Sequence, residues 1–377
     1  MKKVLFDVDG VLLSEERYFD VSALVVWEWY FGTAYMNLGG EVVQSTVTDE
    51  EIKKIRQRFW RNDDILNWLK GHGINSNWDM VHAHIAVITW LLLEAYGDRY
   101  HDIPAVRIDS NEDIQDLGKI LTGLPFPTAT EVLERLERCV SSDAGKDEVF
   151  CQITAAAVEG LGPSGQSTLQ WMPLDSSLWK LHQACFQGWY LGDDIYKKIY
   201  GQATYVGGKD GFLHREVPLG TVKGIRSMFR TLKERGYDIG IATGRWQVEM
   251  EEPFKTFHWL SEFNPYDIAT ATDVETAEAK LHVPLGKPHP FTYYVAALGN
   301  HPERYDEYAD KPKELLTGDT YYVVGDSLSD IWAAKEMGAV MVGTLTGLNG
   351  LKARAMFEKE EVPYILDTVE DILQILP

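Results

Sequence analysis

At 377 residues the chain is long enough to build two domains, each with its own core. Its 57 acidic residues against 36 basic ones leave a formal net charge of −21, which argues against nucleic acid or an anionic membrane as partner, because both are held by basic patches. The three cysteines, Cys139, Cys151 and Cys185, show no CxxC spacing, so neither a disulfide framework nor a thiolate zinc site is indicated, and a reducing compartment fits.

In chain order the first predicted element is a strand, Lys2-Lys3-Val4-Leu5-Phe6, which delivers Asp7-Val8-Asp9-Gly10 at its carboxyl end. No long apolar region or small-residue cleavage site precedes it, and the expected location is the cytoplasm. From about Ser14 to Glu216 the texture is helical and rich in tryptophan. Thr48 and Glu51 form a capping-box pattern that predicts a helix through Lys70, ended by Gly71. A second helix is predicted over 78–96, ended by Gly97, and its most apolar part, 85–95, reads as too short and interrupted to span a bilayer. Thr128 with Glu131 opens a third, and Asp175 or Ser176 caps one reaching toward Tyr200. Segments 124–127 and 160–173, rich in proline and glycine, are loops or bends, and 201–211 reads as a flexible return hinge. Trp27, Trp29, Trp60, Trp68, Trp90, Trp171 and Trp189 read as core packing rather than a ligand cage.

From Val217 onward strands and helices alternate. A helix over 221–235, stopped by Gly236, precedes a strand over 237–242, and further apolar runs cover 266–269, 321–324 and 339–342. Continuous apolar runs suit a buried parallel sheet covered by helices on both faces. The opening strand has no partner near it in sequence, so it is expected to join this later sheet. That divides the chain into a discontinuous α/β core, residues 1–13 with 217–377, and an inserted helical domain, residues 14–216.

Four separated signals fall at strand ends or adjoining loops of the core: Asp7-Val8-Asp9-Gly10, Thr243-Gly244, Gly286-Lys287-Pro288 and Gly325-Asp326-Ser327-Leu328-Ser329-Asp330. In open parallel sheets that is where ligands bind. Carboxylates as close as Asp7 and Asp9 repel unless a cation or a shared proton intervenes, which points to Mg²⁺ and acid/base chemistry. A carboxylate attacks phosphorus only when the charge between them is neutralised, a task for a metal ion and a fixed ammonium group. Asp7 and Asp326 offer the metal carboxylates and Lys287 the ammonium. Thr243 and Gly244 suit the phosphate oxygens, and Asp9 remains to move protons.

The order and spacing of these motifs resemble the haloacid dehalogenase superfamily, in its phosphatase branch, over the first 13 residues and from about Val217 onward. The resemblance implies a doubly wound, Rossmann-like parallel sheet with a large, mainly α-helical cap. It implies Asp7 as the nucleophile forming an aspartyl-phosphate, and Asp9 as the acid that protonates the leaving oxygen and then activates water. Thr243, with Gly244, would bind phosphate, and Lys287 would stabilise the nucleophile and the transferring group. Mg²⁺ would be held by Asp7, Asp326 and the backbone carbonyl of Asp9, with Asp330 supporting a metal-bound water or Lys287. An acid two residues past the nucleophile suits phosphatases and phosphomutases, whereas dehalogenation does not require it. Val8 departs from the pump-type ATPases, which carry lysine there. Arg245 either contacts substrate or forms a helix-end ion pair, and the polar stretch 301–320 reads as an extra surface loop or helix. The insertion exceeds the family's common helical caps, so the substrate does not transfer by analogy.

Two patterns are decoys. Gly160-Leu-Gly-Pro-Ser-Gly-Gln166-Ser167 imitates a nucleotide-binding loop but has Gln166 in place of the lysine and no strand before it. His82 and His84, two apart on a helix, do not share a face and read as satisfied or exposed rather than metal-binding. The expected activity is a Mg²⁺-dependent phosphatase acting on a small phosphorylated metabolite. The alternatives are a phosphomutase of the same superfamily and a non-catalytic binding or regulatory protein that uses its cap.

Overall fold

In the computed structural model, which describes residues 1–377, six strands form one sheet: β1 (Lys2–Phe6), β2 (Asp238–Ala242), β3 (Ile268–Ala269), β4 (Thr320–Gly325), β5 (Val340–Thr344) and β6 (Tyr364–Leu366). Every pairing is parallel and the order is β3-β2-β1-β4-β5-β6. The opening strand is therefore central, paired with β2 from Lys3↔Asp238 to Phe6↔Ile241 and with β4 from Lys2↔Thr320 to Phe6↔Val324. Its apolar run is continuous because both faces are covered. Val4 and Phe6 pack with Ile225, Met228, Phe229 and Leu232 of the helix Val222–Glu234, whereas Leu5 packs with Tyr293 and Val295 of the helix Phe291–Leu298. Thr221 caps the first of these helices by accepting from Gly224 N at 2.9 Å.

The chain divides into two compact units, residues 1–16 with 213–377 and residues 17–212. In the sheet unit, β3 begins only at Ile268, because Pro265–Asp267 form a 3-10 turn. The short strand β6 lacks the alternation or length that would mark it in sequence. Segment 301–320 is more than a surface loop, since Tyr305 and Tyr308 of its helix Tyr305–Ala309 are buried in the core.

The helical unit departs from the sequence expectation in three places. The predicted helix over 48–70 is two helices, Asp49–Trp60 and Asp64–Gly71. Arg61, Asn62 and Asp63 separate them in left-handed backbone, with Asp63 bonded to Arg56 at 2.7 Å. The helix predicted to stop at Gly97 runs through it, Asn77–Tyr100, because that glycine serves packing: a Cβ there would lie 2.6 Å from the Ile103 side chain. It is thus long and apolar enough to cross a membrane, contrary to the expectation from 85–95, but 72% of its apolar window is buried, as in a core helix. Segment 201–211 is tied down rather than slack. Asp193 accepts from Thr204 Oγ1 at 2.8 Å and from Gly208 N at 2.5 Å. Lys209 lies 3.0 Å from both oxygens of the buried Glu28, which also accepts from Cys185 Sγ at 3.2 Å. Of the tryptophans, Trp29, Trp60, Trp171 and Trp189 are fully buried, while Trp68 is half-buried.

The Lys209–Glu28 pair yields a stability prediction. Lys209→Met leaves Glu28 as a buried charge without its partner, and should cost about 3–5 kcal/mol in urea unfolding. The double variant Lys209→Met/Glu28→Leu should recover much of that loss, and a loss below about 1 kcal/mol in the single variant would mean that the pair does not anchor the return segment.

Candidate active site

The neighbouring strands β1 and β4 deliver their last residues side by side, where the chain reverses its direction of travel across the sheet. Asp7 N donates to Val324 O at 2.9 Å, which extends the β1–β4 pairing by one residue. The chain then folds back on itself, with Leu12 N and Leu13 N donating to Val8 O and Gly10 N to Leu13 O. Gly10 has φ +71°, and a Cβ there would lie 2.2 Å from Asp326 Oδ2. Gly347, just past β5, is constrained in the same way, its Cβ falling 1.9 Å from that oxygen. Glycine at both positions lets the backbone close around the Asp326 carboxyl.

Lys287, which follows Gly286 and precedes Pro288 through a cis peptide, joins two of the acids. Its Nζ lies 2.9 Å from Asp7 Oδ2 and 2.9 Å from Asp330 Oδ1. Asp330 has further donors: Tyr293 OH to Oδ1 at 2.7 Å, and Ser327 Oγ at 2.7 Å and Ser327 N at 3.2 Å to Oδ2. It therefore completes a capping box for the helix Leu328–Met337 and also anchors Lys287. Burial opposes the Asp330 charge, but the Lys287 ammonium and the Ser327 and Tyr293 donors more than offset it and hold its carboxyl below the ordinary range. Burial also opposes the Lys287 charge, and Asp330 and Asp7 outweigh it, so the ammonium is retained.

Asp7 and Asp326 are placed otherwise. Burial raises the Asp7 carboxyl from 3.8 to about 7, with Asp330 and Asp9 adding repulsion that Lys287 only partly counters. Burial pushes Asp326 well above its ordinary value, reinforced by Asp330, Glu15 and Asp7. One oxygen from each of Asp7, Asp326 and Asp330 lies within 4.8 Å of the others. With Asp330 already committed to Lys287, Tyr293 and Ser327, the two carboxyls that could hold a metal are Asp7 and Asp326. Their hard oxygen donors, excess negative charge and glycine-lined cradle fit a small divalent cation such as Mg²⁺.

The remaining expected residues lie around this group. Thr243 N donates to Ala269 O at 3.0 Å, placing this buried threonine just past the end of β2, next to β1. Its Oγ1 accepts from Arg245 N at 3.1 Å, which leaves its hydroxyl proton for another acceptor. Gly244 is exposed, and a Cβ there would meet nothing within 4 Å, so its small size serves no packing need within the protein. The Asp9 side chain is paired with Arg245, at 2.7 Å from Nη2, rather than grouped with Asp7, Asp326 and Asp330. Arg245 is thus an ion-pair residue, but its partners are Asp9 and the buried Glu216.

Sequence reasoning gives no role to Tyr293, Glu216 or Gly347, nor to Ser327, which it names only as part of the motif with Asp326 and Asp330. Thr344-Leu345-Thr346-Gly347 after an apolar strand was a usable signal: the hydroxyls of Thr344 and Thr346 donate to Gly10 O at 3.3 and 2.6 Å. Tyr293 had none, lying within an apolar helix. The glycine-rich decoy is a 3-10 turn, Gly162–Ser167. His82 and His84 are both wholly buried; His82 bonds Met172 O and His182, and His84 packs on Trp60.

Residues 212–344 match the family model for haloacid dehalogenase-like hydrolases, a stretch holding Thr243, Lys287, Asp326 and Asp330 but not β1 with Asp7 and Asp9. A structural-genomics target solved by X-ray crystallography is 34% identical, with a TM-score of 0.87, over 100% of this chain and 98% of its own. Phosphatase Tt82 from Thermococcus thioreducens is 13% identical, with a TM-score of 0.44 over 99% of both chains. A hydrolase of the same superfamily from Geobacter sulfurreducens is 13% identical, with a TM-score of 0.36 over 100% of this chain and 97% of its own. No curated protein matches.

The raised Asp7 carboxyl makes stability depend on pH. The folded protein holds that proton more tightly than the unfolded chain, so it binds more protons between pH 3.8 and about 7, and stability falls as pH rises through that window. In chelator-treated protein the urea midpoint should decline from about pH 4 to about pH 7, and Asp7→Asn should reduce the decline. An equally steep decline in Asp7→Asn would exclude this origin.

Proposed function

The chain belongs to the haloacid dehalogenase-like hydrolases, and from that membership we propose that it is a Mg²⁺-dependent phosphatase working through an aspartyl-phosphate on Asp7. The observation that carries this reading is the placement of Asp7 at the end of the central strand, between the Lys287 ammonium and a second raised carboxyl, Asp326. Mg²⁺ held by Asp7, Asp326 and the Asp9 carbonyl would supply the positive charge that keeps both carboxyls ionised and offsets the charge of a phosphate dianion.

The chain's own groups then divide the work. Lys287, fixed by Asp330, neutralises the equatorial phosphate oxygens and holds Asp7 in place. The Thr243 hydroxyl and the Gly244 N–H donate to the phosphate. The Asp7 carboxylate attacks phosphorus as the bond to the leaving oxygen breaks, and Asp9 gives that oxygen its proton. Asp9 next removes a proton from water, whose oxygen attacks the aspartyl-phosphate, releasing inorganic phosphate and restoring Asp7. The helical unit, inserted between the Asp7–Asp9 loop and β2, is the candidate cap, and the proposed partner is a small phosphorylated metabolite.

A panel of phosphorylated metabolites and p-nitrophenyl phosphate tests the reading. Phosphate release should require Mg²⁺, disappear with chelator and return on adding Mg²⁺, and Asp7→Asn should reduce it to background while leaving the circular dichroism spectrum unchanged. No Mg²⁺-dependent release from any panel member, or equal turnover by Asp7→Asn, would sink it. Conversion of a sugar phosphate to its isomer without net phosphate release would identify a phosphomutase instead.

A further inference from the structure

The reaction as derived gives no task to a buried charge pair beside Asp9. Arg245 is 1% exposed and Glu216 is 5% exposed, and such charges persist only when paired and hydrogen-bonded. Arg245 Nε and Nη2 both donate to the same oxygen of Asp9, Oδ1, at 2.9 and 2.7 Å. From the other side Nη1 donates to Glu216 Oε1 at 3.0 Å and to Glu249 O at 3.4 Å, while Nη2 reaches Glu216 Oε2 at 3.4 Å. The backbone of Arg245 is held as well, its N donating to Thr243 Oγ1 at 3.1 Å. The guanidinium is thus clamped behind and grips one oxygen of Asp9 in front.

We propose that Arg245, held by Glu216, is a positioning residue that fixes the Asp9 carboxyl so that Oδ2 is the oxygen exchanging protons with the leaving group and with water. The proposal rests on the phosphatase reading. An oxygen that already accepts two N–H groups has no room for a proton, so the acid form of Asp9 carries its proton on Oδ2. The planar fork of arginine fixes the carboxyl's rotation as well as its distance, which a lysine ammonium does not do. Glu216 balances the guanidinium charge, so Arg245 acts on Asp9 as a geometric clamp more than as a net cation.

The leaving group supplies a test that a merely structural role would not pass. 2,4-Dinitrophenolate departs without a proton, whereas phenolate needs one. The measurement is kcat/KM for both aryl phosphates with wild type, Arg245→Lys and Glu216→Gln, using Asp9→Asn as the reference for complete loss of the acid. Arg245→Lys should lower kcat/KM for phenyl phosphate by about 10²-fold and for 2,4-dinitrophenyl phosphate by less than about 5-fold, a split in the same direction as that of Asp9→Asn. Glu216→Gln, which keeps the side chain's shape, should show the split in the same direction and decides the matter if Arg245→Lys does not fold. Equal losses on the two esters would assign Arg245 to folding or phosphate binding and overturn the proposal, as would no loss on either. A wild type without Mg²⁺-dependent turnover of either ester would instead defeat the phosphatase reading itself, and this proposal with it.

Discussion

One ammonium group shared between two buried carboxyls sets the terms for everything around it. Lys287 stands equally close to Asp7 and Asp330, so Coulomb attraction alone cannot explain why one carboxyl is held ionised and the other is raised. The other donors decide it. Asp330 has Tyr293 and Ser327, whereas Asp7 has the N–H of Val8 at 2.8 Å. Lys287 is therefore shared while the extra donors favour the Asp330 charge, and Asp7 and Asp326 remain short of positive charge where the proposed phosphate substrate would add more negative charge. Asp330 serves the site indirectly, by fixing the lysine that fixes Asp7.

Much of this could be read from the chain because its chemistry sits at strand ends. A run such as Val4-Leu5-Phe6 before Asp7, or Tyr321 to Val324 before Gly325-Asp326, announces a buried strand and its carboxyl end together, and the sheet was legible on those grounds. Thr221, Thr48 and Thr128 marked helix starts for the same local reason, since a cap and its partner lie within one turn. What escaped was non-local. Tyr293 reaches Asp330 from inside an apolar helix, and Glu216 meets Arg245 only after folding, so no spacing in the sequence exposes either contact. At Gly97 the expected stop does not occur, because glycine ends helices in general while here it makes room for Ile103.

The two units solve the burial problem differently. The sheet unit buries its strands between two apolar layers and gathers Asp7, Lys287, Asp326 and Asp330 where β1 and β4 end. The helical unit carries Lys209 and Glu28 in its interior, where one ion pair fastens the returning chain to the first helix, Glu16–Phe31. A segment rich in glycine is thereby anchored at Lys209 and Gly208, where composition alone suggests slack.

The central position of β1 has a consequence for how the protein is made. Lys3 pairs with Asp238, so the strand bearing Asp7 is synthesised long before either neighbour exists. On a ribosome adding roughly 5–20 residues per second, it waits on the order of ten seconds or more with Val4, Leu5 and Phe6 unpaired. Until β2 and β4 are made, the helical unit is the one whose residues are all present, and near its two ends the Arg17 guanidinium lies 6.0 Å from the centre of the Phe212 ring. A helical unit folded by then would shorten the loop that has to close when β2 and β4 pair with β1, and so lower the entropic cost of that pairing.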